Sequence, residues 1–347
     1  MINSLQVFRG WAALAVVLHH AAVSTDAFVG ELPRWLSALL AMGYLGVDFF
    51  FVLSGFIIMH AHMSDAPKLA SVRRYVGKRL WRIYPPYLPI TLALVVAYGL
   101  WPSLSEGGGR EFGLLTSLFL LPSAQPPALS VAWTLVHEMQ FYAVFLLFFV
   151  SARLFVAALL AWLLMIVLAS SGVLELRSGA WRYLLSPLNI EFMFGVLAAW
   201  LYRRNLGFVK PMAILPMGLM FAVAGVALHG AGETGFAWRL IFAFGLMLTV
   251  LGTAALEKQR RVSWPGWMLT LGSASYSIYL IHNPLLSLTQ RLAAGIGMGW
   301  ISGLVFGVLC SVTVGVMYWW AVERPVLRWT KGRSRASTNG LVRISSV

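Results

Sequence analysis

Residues 5–25 read LQVFRGWAALAVVLHHAAVST, twenty-one positions in which Arg9 is the one charged side chain. A bilayer's hydrocarbon core is about 30 Å thick and an α-helix rises about 1.5 Å per residue, so about 20 mostly apolar residues make one span. Nine further stretches meet that requirement, at 36–60, 84–101, 133–150, 154–172, 183–202, 212–231, 236–256, 268–289 and 300–320. Across 347 residues, 59% are apolar and 11% charged, with a mean hydropathy of +0.78. An ordinary soluble domain is roughly a quarter charged, so lipid is this chain's main solvent. A lipid-exposed backbone must satisfy its own hydrogen bonds, and the alternating ten-residue pattern of membrane barrels is not present. The expected fold is an all-α integral membrane bundle of about ten transmembrane helices.

The net charge of +14 would suit a nucleic-acid binder, but the placement of the positive residues argues otherwise. With the N-terminus in the cytoplasm, 20 of the 26 Lys and Arg fall on that side, leaving Arg34, Arg110, Arg177, Arg182, Arg239 and Arg291 outside. That asymmetry is the positive-inside rule, and it calls for an even number of spans with both termini cytoplasmic. Nucleic acid is therefore not an expected partner, whereas membrane lipids are. The single cysteine, Cys310, permits neither an intrachain disulfide nor a multi-cysteine metal site, and no metal is expected. The first apolar run carries His19 and His20 and has only Arg9 before it, which argues against a cleaved secretory leader.

No internal repeat is evident, and no soluble domain can be cut out. The longest polar connection, 102–132, contains Gly107-Gly108-Gly109, Pro126-Pro127 and a short apolar run at 112–121, consistent with a re-entrant or interfacial element. We read one membrane domain over 1–330, followed by a basic cytoplasmic tail at 331–347.

A charge at the centre of a span costs about 2.5 to 3.5 kcal/mol on insertion scales, so ionisable residues within spans are the first functional candidates. They are Arg9, His20, Asp48, Glu138 beside His137, Glu191 and His282. Arg9 and His20 are eleven residues apart, which returns to within about 20° of one helix face and separates them by about 16 Å. A snorkelling arginine and a core histidine would account for the same spacing. Counted along their spans, His20, His282 and Glu138 fall at nearly one depth in the outer half. This suggests a histidine general base with a carboxylate that orients it. Asp48 is a candidate partner of Arg9, and Glu191 is expected near enough to the outer interface to be hydrated. His60, His62 and His229 lie near span ends and receive no role. Gly303 and Gly307 have the spacing of closely packed helices.

Arg79-Leu80-Trp81-Arg82 lies at the cytoplasmic entry to the third span, before Tyr84-Pro85-Pro86. In a helix, Arg79 and Arg82 share a face and can grip phosphate with two-pronged hydrogen bonds. An ordinary basic loop that sets topology is the alternative.

These residues taken together resemble the acyltransferase-3 family of bacterial membrane acyltransferases, close to those that modify exopolysaccharides. Arg9, ten residues and His20 resemble its first-helix signature, and Arg79-Leu80-Trp81-Arg82 its Arg-x-x-Arg. Gly46-Val47-Asp48-Phe49-Phe50-Phe51-Val52-Leu53-Ser54-Gly55 is similar to its second-helix string. Trp133-Thr134-Leu135, Glu138 and Phe141-Tyr142 follow in order, then Ser275-Tyr276-Ser277-Ile278-Tyr279-Leu280-Ile281-His282 and Glu323-Arg324-Pro325. Many members have two adjacent glutamates where this chain has Glu138-Met139, so a two-carboxylate mechanism does not carry over.

The resemblance implies O-acyl transfer from acyl-CoA, often acetyl-CoA, to a hydroxyl of a cell-envelope or secreted glycan, in the bacterial inner membrane. It implies His20 as the catalytic residue, with Glu138 as a second candidate, and Arg9, Arg79 and Arg82 as the residues that handle the donor. Asp48, Tyr276 and His282 are further candidates. A transporter or flippase of lipid-linked sugar, with intramembrane charges lining a path, is the competing class.

Overall fold

The structure, a computed structural model, describes residues 2–101, 111–174, 179–204, 210–232, 236–259 and 262–330. The tail at 331–347, the glycines at 107–109, Arg110 and Arg177 lie outside the described residues.

The chain opens with α1 (Asn3–Phe28), α2 (Arg34–Ala41) and α3 (Gly46–His62), the last two joined by a tight turn at Met42–Leu45. The long α4 (Leu69–Leu100) and the short α5 (Leu114–Phe119) follow, then α6 (Trp133–Phe145), α7 (Ala152–Ser170) and α8 (Trp181–Leu184). The remainder is α9 (Asn189–Arg204), α10 (Pro211–Gly230), α11 (Phe236–Gln259), α12 (Gly266–Gly295) and α13 (Trp300–Tyr318). No strand occurs among the described residues.

Nine helical stretches among the described residues are long and apolar enough to cross a membrane. The predicted span at 268–289 lies in the 30-residue α12, which is helical but is not one of those nine. Its Ser275, Ser277, His282 and Gln290 are fully buried. The helix therefore meets protein instead of lipid on its polar side, packing lengthwise against α1 and α13.

Three predicted spans differ from the sequence reading: the one at 183–202 is interrupted between α8 and α9, and two others differ for physical reasons. The predicted third span at 84–101 is the upper part of α4, which starts at Leu69 because the basic stretch continues the helix beyond the apolar part. The predicted second span is broken at Gly43, where a Cβ would strike the backbone of α1 at Ala15.

One end of the bundle gathers the basic segments. There the backbone amides of Asn3 and Ser4 donate to the Glu257 carboxylate at 2.7 and 2.6 Å. A carboxylate from α11 thus satisfies donors that the start of α1 cannot satisfy itself. Trp264 Nε1 donates to Ser4 Oγ at 2.9 Å, and Arg203 donates to Ser64. At the other end, residues 111–132 fold back into the bundle. Tyr87 donates to the Ser117 carbonyl at 2.6 Å, Ser117 Oγ accepts from the Ala128 amide at 2.8 Å, and Leu129 and Ala132 are fully buried.

Candidate active site

Helices α1, α3, α4, α6 and α12 surround an open-sided cavity with about 840 Å³ of empty space. Most of its wall is apolar, including Phe50, Leu53, Ile57 and Ile83. Into this wall α1 projects Arg9, α4 projects Arg79 and Arg82, α6 projects Glu138 and Tyr142, and α12 projects Tyr276.

The three arginines are held differently. Arg82 donates to Glu323, which is fully buried and accepts a second bond from Ser277 Oγ at 2.6 Å. The Arg82 guanidinium also lies 5.1 Å from the centre of the Tyr276 ring. Arg79 lies 5.6 Å from the Tyr75 ring and 5.5 Å from the Tyr142 ring, and donates to His62 Nε2 at 3.3 Å. The other nitrogen of His62, Nδ1, donates to Asp65 at 2.8 Å. Arg79 Nε is a buried donor with no hydrogen-bond partner, and Arg9 donates to no residue among those described. Unsatisfied buried donors are costly, and guanidinium forks match phosphate geometry, so the cavity suits an anionic guest.

Glu138 accepts from Ser54 Oγ at 3.3 Å and from the Tyr142 hydroxyl one turn along α6. Tyr279 and Thr134 close the cavity toward the end where 111–132 folds in, their hydroxyls 2.9 Å apart. Behind Tyr279 lies His282, with ring centres 5.5 Å apart, and His282 meets His20 with ring centres 5.0 Å apart. His20 Nδ1 and His282 Nε2 are 3.3 Å apart.

The structure therefore brings Arg9, Arg79, Arg82, Glu138 and Tyr276 around one cavity, and places His20 with His282 just beyond its end wall. The expected pairing of Glu138 with His20 does not occur: the carboxylate bonds Ser54 and Tyr142 instead. Counting depth from residue 133 assumed that α6 starts at the bundle surface, but Leu129 and Ala132 before it are fully buried, so Glu138 sits deeper. Asp48 likewise pairs with Arg239 and not with Arg9. Glu191, expected to be hydrated, is fully buried and accepts from Arg239 Nη1 at 2.8 Å. Arg239 is in the first turn of α11, and its long stem carries the charge inward to both carboxylates.

The sequence reading missed four contributors. Ser54, Tyr142 and Glu323 stand within recognisable strings, but nothing in their spacing says what they touch. His62 was given no role, although Asp65 three residues on was a local signal for an oriented imidazole that could hold Arg79.

Comparison with known proteins identifies the family. The chain is 31% identical over 313 residues to the exopolysaccharide production protein ExoZ of Rhizobium meliloti (strain 1021), covering 86% of this chain and 94% of that one. It is 25% identical to the acyltransferase MdmB of Streptomyces mycarofaciens, covering 85% of this chain and 81% of that one. No solved structure matches it. A family profile described as an acyltransferase domain matches residues 2–320, which include every cavity arginine and both histidines of the contact. By that match over nearly its whole length, the chain belongs to the acyltransferase-3 family.

Proposed function

We propose that this chain is a membrane-bound O-acyltransferase that moves an acyl group, acetyl in the simplest case, from acyl-CoA to a hydroxyl of a cell-envelope or exported polysaccharide. One observation carries the reading: an arginine-lined cavity with unused guanidinium donors ends beside the contacting histidines His20 and His282. CoA is an anionic nucleotide with a long, narrow arm that bears the thioester. Its phosphates suit Arg9, Arg79 and Arg82, and the arm suits the apolar walls that lead toward Tyr279.

On this reading the basic end of the bundle faces the cytoplasm of a bacterial inner membrane, where CoA is found. His20 takes the proton of the acceptor hydroxyl as its oxygen attacks the thioester carbonyl. The new C–O bond forms, the C–S bond breaks, and the departing CoA sulfur receives the proton. Glu138 belongs to the donor side of this path. The exopolysaccharide named for one relative makes a polymeric or lipid-linked glycan the first acceptor to test.

Mass spectrometry of envelope and secreted glycans, from cells with and without the gene, tests the proposal. The expected difference is one acyl mass per modified sugar. Unchanged acylation with altered glycan export would favour a transporter instead.

A further inference from the structure

We propose that His282 is a positioning residue that fixes the tautomer of His20, making His20 Nε2 the atom that accepts the acceptor's proton. The inference rests on the acyl-transfer reading for its purpose, but on hydrogen bonding alone for its chemistry.

Helices α1 and α12 pack directly against each other. They run parallel, because Gln6 Nε2 donates to the Leu269 carbonyl at 2.9 Å and Gly10 then faces Gly272. A Cβ on Gly10 would lie 2.9 Å from the Gly272 amide nitrogen, so only glycine allows this approach. His20 and His282 each stand ten residues beyond their glycine (20 − 10 and 282 − 272). Ten residues is about 15 Å of rise on either helix, which brings the two rings to one height.

The donors can then be assigned. A backbone carbonyl only accepts, so His282 Nδ1, 2.7 Å from the Tyr279 carbonyl, carries a hydrogen. In a neutral ring its Nε2 is then a bare acceptor. His20 Nδ1 lies 3.0 Å from the Val16 carbonyl, so it too carries a hydrogen, and with His282 Nε2 bare at 3.3 Å that one hydrogen is shared between the two acceptors. Both partners demand the same tautomer, which leaves the lone pair on His20 Nε2. That atom has no hydrogen-bond partner among the described residues, and it is not among the sealed polar atoms. His282 is fully buried while His20 is partly exposed, as a positioning group behind a reacting one should be. Its place resembles that of the aspartate behind a catalytic histidine, although it is neutral.

The test uses the full chain in lipid nanodiscs with [15N]histidine at its seven histidines, His20 being assigned by the loss of its signals in His20→Gln. The expected result is an Nδ1-protonated His20 in the wild type, a smaller share of that tautomer in His282→Ala, where the Val16 carbonyl alone still favours it, and recovery in His282→Gln, whose amide oxygen can replace the accepting nitrogen. In parallel, CoA release is measured with acetyl-CoA and the polysaccharide fraction of cells lacking the gene. His282→Ala should lower kcat by about tenfold to a hundredfold at unchanged KM for acetyl-CoA, less than the roughly 10⁴ lost when a triad histidine takes the wrong tautomer. His282→Gln should recover most of it. An Nε2-protonated His20 in the wild type, or a tautomer indifferent to His282→Ala, overturns the inference. No CoA release from a wild type whose His20 is Nδ1-protonated would instead overturn the acyl-transfer reading and leave the tautomer assignment standing.

Discussion

Replacing Arg239 with leucine removes the cation shared by Asp48 of α3 and Glu191 of α9. The carboxylates are 2% and 0% exposed and the guanidinium 18%, so water cannot take over its role. At an effective dielectric of about 20, unit charges about 4 Å apart attract by about 4 kcal/mol. Removing one partner of a buried pair costs about 3 to 5 kcal/mol, mainly because the other charge is left uncompensated. Arg239→Leu should therefore lose that much, a large part of a typical margin of about 5 to 15 kcal/mol. The assay is the fraction remaining monodisperse on size exclusion after graded heating in mild detergent. Arg34→Leu, at an exposed position, serves as the control. The triple change Asp48→Asn, Glu191→Gln, Arg239→Gln should regain most of the loss, since a neutral hydrogen-bonded set leaves no unpaired charge. Neither variant should change KM for the donor per folded molecule, because none of the three residues lines the cavity. If Arg239→Leu tolerates heat as well as Arg34→Leu, the network is not a structural clamp and the reasoning fails.

Changing Arg79 to Lys keeps the charge but removes the unpartnered Nε and the stacking on Tyr75 and Tyr142, so KM for acyl-CoA should rise about tenfold at similar kcat. His20→Ala should insert normally and bind CoA, yet lose at least about a hundredfold in kcat; His19→Ala, about 100° away around α1, should lose far less. Gly10→Val forces α1 away from Gly272, and the expected result is a fall in kcat larger than any fall in CoA affinity, read in the same release assay. Reporters inserted at Ala66 and at Gly297 should report opposite sides of the membrane, with Ala66 on the cytoplasmic side.

The helices were legible because lipid imposes a length and a composition on every span, and each predicted span is mainly helical, with those at 36–60 and 183–202 interrupted. The cation side of the site was also legible: Arg79 and Arg82, three residues apart, do share the face that lines the cavity. What the sequence concealed was the pairing between helices. Asp48 could be matched with Arg9 by depth, but α3 packs against α9 and α11 as well as α1, and the partner it takes, Arg239, comes from α11. Glu138 was misplaced because depth was counted from an end of α6 that is itself buried. The contact of His20 with His282 had one readable trace, the equal spacing from Gly10 and Gly272, which gains meaning only once the two helices are known to touch.

The central claim is that one histidine, fed from an arginine-lined cavity, moves an acyl group between two molecules. Its most direct measurement uses purified chain in nanodiscs, acetyl-CoA labelled in the acetyl group, and polysaccharide from cells lacking the gene. The account predicts label on the polysaccharide in step with released CoA, with both lost in His20→Ala while CoA still binds. Label transferred undiminished by His20→Ala, or polysaccharide moved across the membrane with no CoA released, would contradict it.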